Sequence, residues 1–546
     1  MFIRKQPPRA HALGEPILHE NHKRPVTRRE LIAAGLLSAP AMVVGPAWLA
    51  ALLRPGTANA ALSADIQALL ANTQCNVPTA ATGIPFIAFD LAGGANLVGS
   101  EVLVGVQGGQ TNFLSTAGYG KLGVPGTMVP TSSTFVSNAL GLLWHSDGAI
   151  LRGILSKATT PATAAGTNGA VIAAISQNDT GNNPHNPMYG IAKAGAKGML
   201  ATLIGNQSTV SGGNSAAPMA LIDPTLQPTK ISRPSDATAL VNTGGASADP
   251  VAVAVLESQT RISGGGNPYN STDTNPATAG TEFGGALTRP AAGTAGVLLY
   301  PTDPVADAAL KNSVRCAYVK SANTADAFGN PAALDATQDP LITGGAAPIF
   351  TATDFNDSDV AKTAAVMKMV LGGYAGAGTI TLGGYDYHDS TRATGESRNF
   401  KAGQMIGAVL EYAQRVGAPV MIYVFSDGSL SSSSMVDGST AGRGKLAWQG
   451  DNSSTASTFF LVYSPKGRPQ LRNGAASQQI GYFSPDGSVV STSSPAANAV
   501  NQLVETVILN YMGLLGTDSQ FGTLFPMQGL GSATVQASLT AFSRIV

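Results

Sequence analysis

Long apolar runs, each ending in a polar or glycine-rich turn, constrain the fold of this chain more than any other feature. Within each run the apolar residues follow one another without alternation, as in strands that are buried on both faces. Six segments show the pattern: residues 84–94 (IPFIAFDLAGG), 169–180 (GAVIAAISQNDT), 295–303 (AGVLLYPTD), 378–386 (GTITLGGYD), 419–428 (PVMIYVFSDG) and 457–465 (STFFLVYSP). The runs predict a sheet with both faces covered.

Helical periodicity fills several of the intervals between these runs. It is found in residues 359–374, 403–417 and 497–516. The order strand 378–386, helix 403–417, strand 419–428 is a βαβ unit, which requires parallel strands. We therefore predict an α/β fold with a mainly parallel sheet. The sequence DFNDSD at 354–359 lacks the glycine and glutamate of a calcium loop, so we interpret it as a helix N-cap, with Asp359 as the cap.

The N-terminal sixty residues have the features of an export signal. Arg28-Arg29 precedes the apolar stretch AAGLLSAPAMVVGPAWLAALL, which is followed by the A-x-A sequence Ala58-Asn59-Ala60. Paired arginines before an apolar segment of moderate hydrophobicity indicate the twin-arginine route. We expect residues 1–60 to engage the twin-arginine translocase and to be cleaved near Ala60, which would place the protein in the periplasm or outside the cell. A retained membrane anchor is the alternative.

Composition agrees with an exported protein and excludes one class of partner. Only 12% of the residues are charged, about half of the usual quarter. Eight of the 32 basic and three of the 32 acidic residues lie within residues 1–60, so the remainder has a formal net charge of −5. No basic stripe is present, which argues against nucleic-acid binding. Cys75 and Cys316 could form one disulfide or remain two buried thiols.

One region differs in composition from the rest. Residues 206–290 are rich in Gly, Ser, Thr and Asn, for example SGGGNPYNSTDTNPATAG. Such a composition is typical of a long loop or an insertion, and disorder is the alternative interpretation. We therefore predict a single α/β domain over residues 61–546 with an insertion at about 206–290.

Three of the predicted strands end on an acid. These are Asp90 in FIAFD, Asp386 in GGYDYH and Asp427 in YVFSDG. Ligands bind at the carboxyl ends of parallel strands, and three carboxylates at one edge would repel one another unless a cation held them together. Asp386 and His388 are two residues apart, so in an extended segment they project to the same side. The pattern predicts a metal site at this edge.

The same segments resemble a known family. FDLAGGAN, GGYDYHD, VFSDGS and GRGKLAWQGDN are similar to blocks in the twin-arginine-exported bacterial family known as domain of unknown function 1501, which is sulfatase-like and belongs to the alkaline phosphatase superfamily. The resemblance covers about residues 84–110 and 375–465, and more loosely NPHNPMYGIAKAG at 183–195. It implies an alkaline-phosphatase-like α/β/α sandwich with a two-metal site that binds a phosphate or sulfate ester as an anionic ligand.

The resemblance also assigns roles to individual residues. It implies that Asp90 and Asp427 bind one metal, that Asp386 and His388 bind the other, and that His185 lies near the substrate. Where the family has a late histidine, this chain has Gln449-Gly450-Asp451-Asn452, which makes Asp451 the candidate ligand there. A site rich in oxygen with one imidazole suits Mg²⁺, Mn²⁺ or Ca²⁺ better than a tight zinc pair.

The position of the nucleophile departs from the family. Asn96 occupies the position at which a Ser or Thr nucleophile would be expected, and an asparagine is not a nucleophile of this kind. Ser100 is near in sequence, but it is placed differently. We therefore expect an exported metal-binding protein of the phosphatase-like fold in which ester hydrolysis is degenerate or lost. An active metal-dependent ester hydrolase is the alternative.

Overall fold

The computed structural model of the protein describes residues 80–176, 183–241 and 330–546. The predicted signal segment, the apolar run at 295–303 and both cysteines lie outside these residues. So does the insertion from residue 242 onward.

Eight strands of the described chain form one large sheet. The twelve strands are β1 (Phe86–Ala92), β2 (Val136–Leu140), β3 (Leu142–His145), β4 (Thr167–Ala173), β5 (Ala201–Gly205), β6 (Thr229–Lys230), β7 (Ala375–Gly383), β8 (Val420–Ser426), β9 (Leu430–Val436), β10 (Leu446–Asp451), β11 (Ser457–Tyr463) and β12 (Gln479–Ile480). Their order in the large sheet is β12-β4-β11-β8-β1-β7-β5-β6, while β2 pairs with β3 and β9 pairs with β10. Strand β1 therefore lies in the middle of the sheet.

The central strands are parallel, as predicted. β1 pairs in parallel with β7 on one side and with β8 on the other. β11 is the exception, because it runs antiparallel to both β8 and β4. The connection from β8 to β11 contains the β9–β10 hairpin and no crossover helix, so the chain re-enters the sheet in the opposite direction.

Helices cover both faces of the sheet. The α-helices are α1 (Thr116–Lys121), α2 (Ala149–Lys157), α3 (Pro161–Ala165), α4 (Met188–Lys193), α5 (Pro234–Ala239), α6 (Pro340–Thr343), α7 (Ser358–Leu371), α8 (Ala393–Val416), α9 (Val500–Leu515), α10 (Phe521–Leu524) and α11 (Ala533–Ser538). One buried core holds α2, α7 and α8, and a second core on the opposite face holds α4 and α9. The architecture is therefore layered α/β with a mainly parallel sheet.

Short 3₁₀ helices complete the connections. They span Gly126–Met128, Met219–Leu221, Pro331–Leu334, Ala336–Gln338, Asp354–Asn356, Ser453–Thr455, Gly474–Gln478, Pro495–Asn498 and Asp518–Gln520. None of the helices in the described ranges is both long and apolar enough to cross a membrane.

The predicted helices are present with two corrections. Helix α8 begins at Ala393, ten residues before the predicted start, because Glu396 in its polar first turn is buried in an ion pair with Arg392 rather than exposed. The N-cap of α7 is Asp357, whose side chain accepts a hydrogen bond from the amide of Asp359. The expected cap at Asp359 was therefore wrong, although the interpretation of DFNDSD as an N-cap was correct.

The described part of the proposed insertion is integrated with the sheet. Residues 206–241 supply the edge strand β6 and helix α5. Their loop at 213–215 reaches the carboxyl end of β1, where the amides of Asn214 and Ser215 donate to Asp90. This segment is therefore part of the edge at which the predicted site lies.

Candidate metal centre

The structure brings three potential ligands together at the carboxyl edge of the sheet. One ligand atom from each of Asp386, His388 and Asp451 lies within 4.8 Å of the other two, and within the described residues this is the one such group of three acids or histidines. His388 Nε2 is 2.7 Å from Asp386 Oδ1 and 3.9 Å from Asp451 Oδ1. The side chains are 40%, 49% and 61% exposed for His388, Asp386 and Asp451. We call this group the cation corner.

The alternation of an extended segment places the first two ligands. Asp386 and His388 are exposed, whereas Tyr385 and Tyr387, which alternate with them, are buried. The amide of Tyr385 donates to the carbonyl of Ala92 at the end of β1, which holds the segment against the sheet. The predicted projection of Asp386 and His388 to one side is thus observed.

The third ligand comes from the end of a hairpin. Asp451 is the last residue of β10. It pairs with Leu430, the first residue of β9, and β9 is the strand that follows β8 in the chain. Two backbone hydrogen bonds join β10 to the segment that follows His388: Ser390 donates to the carbonyl of Trp448, and Trp448 donates to Thr391. The hairpin therefore brings a residue 63 positions later in the sequence beside the pair.

The donor set is compatible with one divalent cation. Metal–oxygen and metal–nitrogen bonds of about 2.0–2.2 Å place ligand atoms on one ion within roughly 4.4 Å of each other, close to the spread of this group. Two carboxylates and one imidazole supply three protein ligands. Because all three side chains are partly exposed, further coordination positions would face solvent.

Asp427 lies at the same edge but its carboxylate is buried. It follows the last residue of β8, and its Oδ1 accepts a hydrogen bond from the amide of Gly93 at 3.0 Å. Its carbonyl accepts from Ser176 Oγ and Asn183 Nδ2. Asp427 is not a member of the group formed by Asp386, His388 and Asp451.

Asp90 is also fully buried and is surrounded by hydrogen-bond donors. Its Oδ2 accepts from the amides of Asn214 and Ser215 at 2.7 and 2.8 Å, and Ser215 Oγ and Thr381 Oγ1 approach at 3.1 and 3.3 Å. Burial raises the pKa of the Asp90 carboxyl, and these hydrogen bonds oppose that rise. In this structure Asp90 binds the loop at 213–215 and, like Asp427, is outside the cation corner.

His185 is enclosed in the protein. The ring is 1% exposed, stacks on Phe425 with centroids 5.7 Å apart, and its Nε2 lies 2.9 Å from Ser176 Oγ. Burial lowers the pKa of His185 to about 3, so the ring is neutral at physiological pH. Through Ser176 it connects to the carbonyl of Asp427 rather than to the exposed corner.

The two candidate nucleophile positions are both buried and hydrogen-bonded. Asn96 Nδ2 donates to the carbonyl of Leu430, and its Oδ1 accepts from the amide of Val98. Ser100 Oγ accepts a hydrogen bond from the Arg392 guanidinium at 2.8 Å. Both side chains are 0% exposed, so neither faces the cation corner as an accessible nucleophile.

Behind the corner lies a buried ion-pair cluster that the sequence analysis did not identify. Glu396 accepts from Arg392 and Lys445 through Oε1 and from Arg152 through Oε2. Arg392 also lies over the ring of Trp448, at 4.4 Å from its centroid. The Arg392–Glu396 spacing of four residues at the start of a helix is a sequence signal for such a pair.

Fold and corner together define a layered α/β protein with a candidate cation site at the carboxyl edge of its sheet. Comparison with known proteins adds no relative, since no family model, no curated protein and no solved structure matches the chain.

Proposed function

We propose that the chain is an exported protein of the alkaline-phosphatase-like, sulfatase-like α/β/α fold that binds a divalent cation at Asp386, His388 and Asp451, with ester hydrolysis degenerate or lost. The observation that carries this proposal is the convergence of these three ligand atoms within 4.8 Å. They come from two separate segments and meet at the edge where parallel α/β sheets bind ligands.

The donor types favour a hard cation. Carboxylate oxygens and water are the preferred ligands of Mg²⁺, Mn²⁺ and Ca²⁺, while zinc is usually held by more nitrogen or sulfur donors. The corner offers two carboxylates and one imidazole, and its exposure allows water to complete the coordination shell. We therefore expect Mg²⁺, Mn²⁺ or Ca²⁺ to bind in preference to Zn²⁺.

The surroundings of the corner support loss of hydrolysis. Asn96 and Ser100 are buried and have hydrogen-bond partners in the protein. Asp90 and Asp427, which a second metal would need, accept hydrogen bonds from backbone amides instead. One cation without an accessible nucleophile beside it would bind an anion without cleaving it.

An active hydrolase is the second candidate, and one observation favours it. All three ligands are at least 40% exposed, so a bound cation could accept a phosphate or sulfate ester from solvent as a further ligand. In that case water rather than a side chain would have to be the nucleophile.

Thermal unfolding in the presence of single metals tests the cation site. A cation at 100 times its Kd should stabilise the wild type by about 2.7 kcal/mol, and chelator should remove that gain. His388→Ala should not respond to the metal, and Asp451→Asn, which keeps one amide oxygen at this position, should respond only at much higher metal concentration. Asp389→Asn is the matched control, because Asp389 is an exposed acid in the same segment whose carboxylate binds Thr391 and Thr394 instead.

The outcome also separates the two candidates. Equal stabilisation of the wild type and of both ligand variants would refute the cation site. Aryl phosphates and aryl sulfates should not be turned over by the wild type with any of the metals. Metal-dependent turnover that disappears in His388→Ala would establish the hydrolase instead.

A further inference from the structure

The two segments that supply the cation corner are joined by one buried residue. The backbone amide of Asn96 donates to Tyr387 Oη at 3.2 Å, and Tyr387 lies between the ligands Asp386 and His388. The side chain of Asn96 donates through Nδ2 to the carbonyl of Leu430 at 3.0 Å, and Leu430 is the residue paired with Asp451. Asn96 thus contacts the residue between Asp386 and His388 and the cross-strand partner of Asp451.

Tyr387 connects this link to the interior. Its hydroxyl donates to Asn399 Oδ1 at 3.0 Å, and Asn399 Nδ2 donates to Glu101 Oε1 at 3.0 Å. Glu101 Oε2 in turn accepts from the amide of Ile150 at the start of α2. Every side chain in this series is at most 2% exposed, so the link between the segments is anchored in the core.

We infer that Asn96 is a positioning residue, which sets the distance between the Asp386–His388 pair and Asp451 and thereby the affinity of the corner for a divalent cation. The inference rests on the proposed cation site. Residues that orient metal ligands through hydrogen bonds typically change metal affinity by about 10- to 100-fold when they are replaced. We therefore expect Asn96→Ala to weaken cation binding about tenfold or more, although Asn96 itself is not a ligand.

The chain offers a matched control for loss of a buried asparagine. Asn168 is 4% exposed and its Nδ2 donates to the carbonyl of Pro469 at 2.9 Å, as Asn96 does to Leu430. It lies at the start of β4, which is parallel to β8, so it is at the opposite edge of the sheet. Asn168→Ala should lower the free energy of unfolding and leave cation affinity unchanged.

A double-mutant cycle measured by Mn²⁺ titration of the purified protein tests the inference. Asn96→Ala should weaken Mn²⁺ binding in the wild-type background and have little further effect in the Asp451→Asn background, because it acts through the position of Asp451. Tyr387→Phe removes the hydroxyl that receives the Asn96 amide and should weaken binding in the same direction. It carries the test if Asn96→Ala does not fold.

Several outcomes would overturn the inference. They are an unchanged Mn²⁺ affinity in folded Asn96→Ala, an equal loss of Mn²⁺ affinity in Asn168→Ala, or effects of Asn96→Ala and Asp451→Asn on Mn²⁺ affinity that are fully additive. A different result would show that the cation site itself is absent: either the wild type does not bind Mn²⁺, or Asp451→Asn binds it with wild-type affinity. Either result would overturn this inference as well.

Discussion

The amide of Gly93 donates a hydrogen bond to Oδ1 of Asp427 across the carboxyl edge of the sheet. Gly93 also lies directly against the cation corner: a Cβ atom at this position would be 2.3 Å from the backbone nitrogen of Asp386. Its φ of +124° is unfavourable for residues other than glycine. The turn after β1 therefore fixes the buried Asp427 on one side and the exposed ligand segment on the other.

Replacing Gly93 should disturb the corner more than backbone strain alone would. In Gly93→Ala the methyl group must displace the backbone of Asp386, and overpacking of this kind costs about 1–3 kcal/mol. We expect a lower free energy of unfolding and weaker cation binding. Gly195→Ala is the matched control, since Gly195 has a φ of +115° but a Cβ atom there would have no atom of the described residues within 4 Å. Equal losses in the two variants would contradict the role of the contact.

Asp90 should behave as a structural acceptor and not as a ligand of the corner. In Asp90→Ala both carboxylate oxygens are removed, so the amides of Asn214 and Ser215 lose their acceptor. A buried donor left without its acceptor costs about 1–3 kcal/mol. We expect that loss in chemical unfolding, with unchanged cation affinity. Loss of cation binding at unchanged stability would instead restore Asp90 as a ligand.

The strands of the sheet could be predicted because strands that are buried on both faces have continuous apolar sequences. The runs that contain Asp90 and Asp427 each correspond to an observed strand, β1 and β8. The direction of β11 could not be predicted, because it depends on whether a helix or a hairpin precedes it. The early start of α8 was missed for a similar reason, since Arg152 and Lys445, which pair with Glu396 in its first turn, come from distant segments.

The site could be predicted only where local geometry decides it. Asp386 and His388 are two residues apart in an extended segment, and their common side follows from that spacing. The approach of Asp451 depends on the hairpin register, which the sequence does not show. The role of Asn96 depends on two contacts about 290 and 334 residues away in sequence, so its position in a motif gave no indication of it.

The export route remains a prediction of the sequence and has a direct test. Replacing Arg28 and Arg29 by Lys should abolish translocation, because the twin-arginine pathway recognises that pair rather than its charge. Cell fractionation and N-terminal sequencing measure the result, with a wild-type start expected near Ala61. Replacing Arg4 and Arg9 by Lys is the matched control and should leave export intact. Normal export of the paired variant would refute the assignment.

Glu396 should be essential for stability because three cations surround it. It is 4% exposed, and Arg152, Arg392 and Lys445 all donate to its carboxylate. Removing one member of a buried ion pair typically costs about 3–5 kcal/mol, since the remaining charge stays buried. We expect a loss of this size in Glu396→Gln by urea unfolding. Lys401→Gln, which removes a more exposed pair with Asp357, should cost at most about 1 kcal/mol.

Two buried histidines should make the protein less stable in acid. Burial lowers the pKa of His145 to about 4 and that of His185 to about 3. His145 accepts from the amide of Asp147 at Nδ1 and contacts the carbonyl of Met128 through Nε2, which fits the neutral ring. In the unfolded chain both histidines bind protons below about pH 6.5, whereas in the folded protein they do so only near pH 4 and below. The free energy of unfolding is therefore highest above pH 6.5 and falls as the pH falls toward 4, by roughly 2 kcal/mol per histidine at pH 5.

Glu101 should oppose this loss in part. Burial raises its pKa to about 6, so the folded state binds a proton more readily than the unfolded state and acidification from pH 6 to about 4.5 is stabilising at this group. Together, the two histidines and Glu101 should make the free energy of unfolding about 2–3 kcal/mol lower at pH 5 than at pH 7, and the raised pKa of Asp90 opposes this loss further. Urea unfolding at both pH values measures it. His145→Gln should reduce the difference and Glu101→Gln should increase it, whereas a pH difference that neither substitution changes would contradict both assignments.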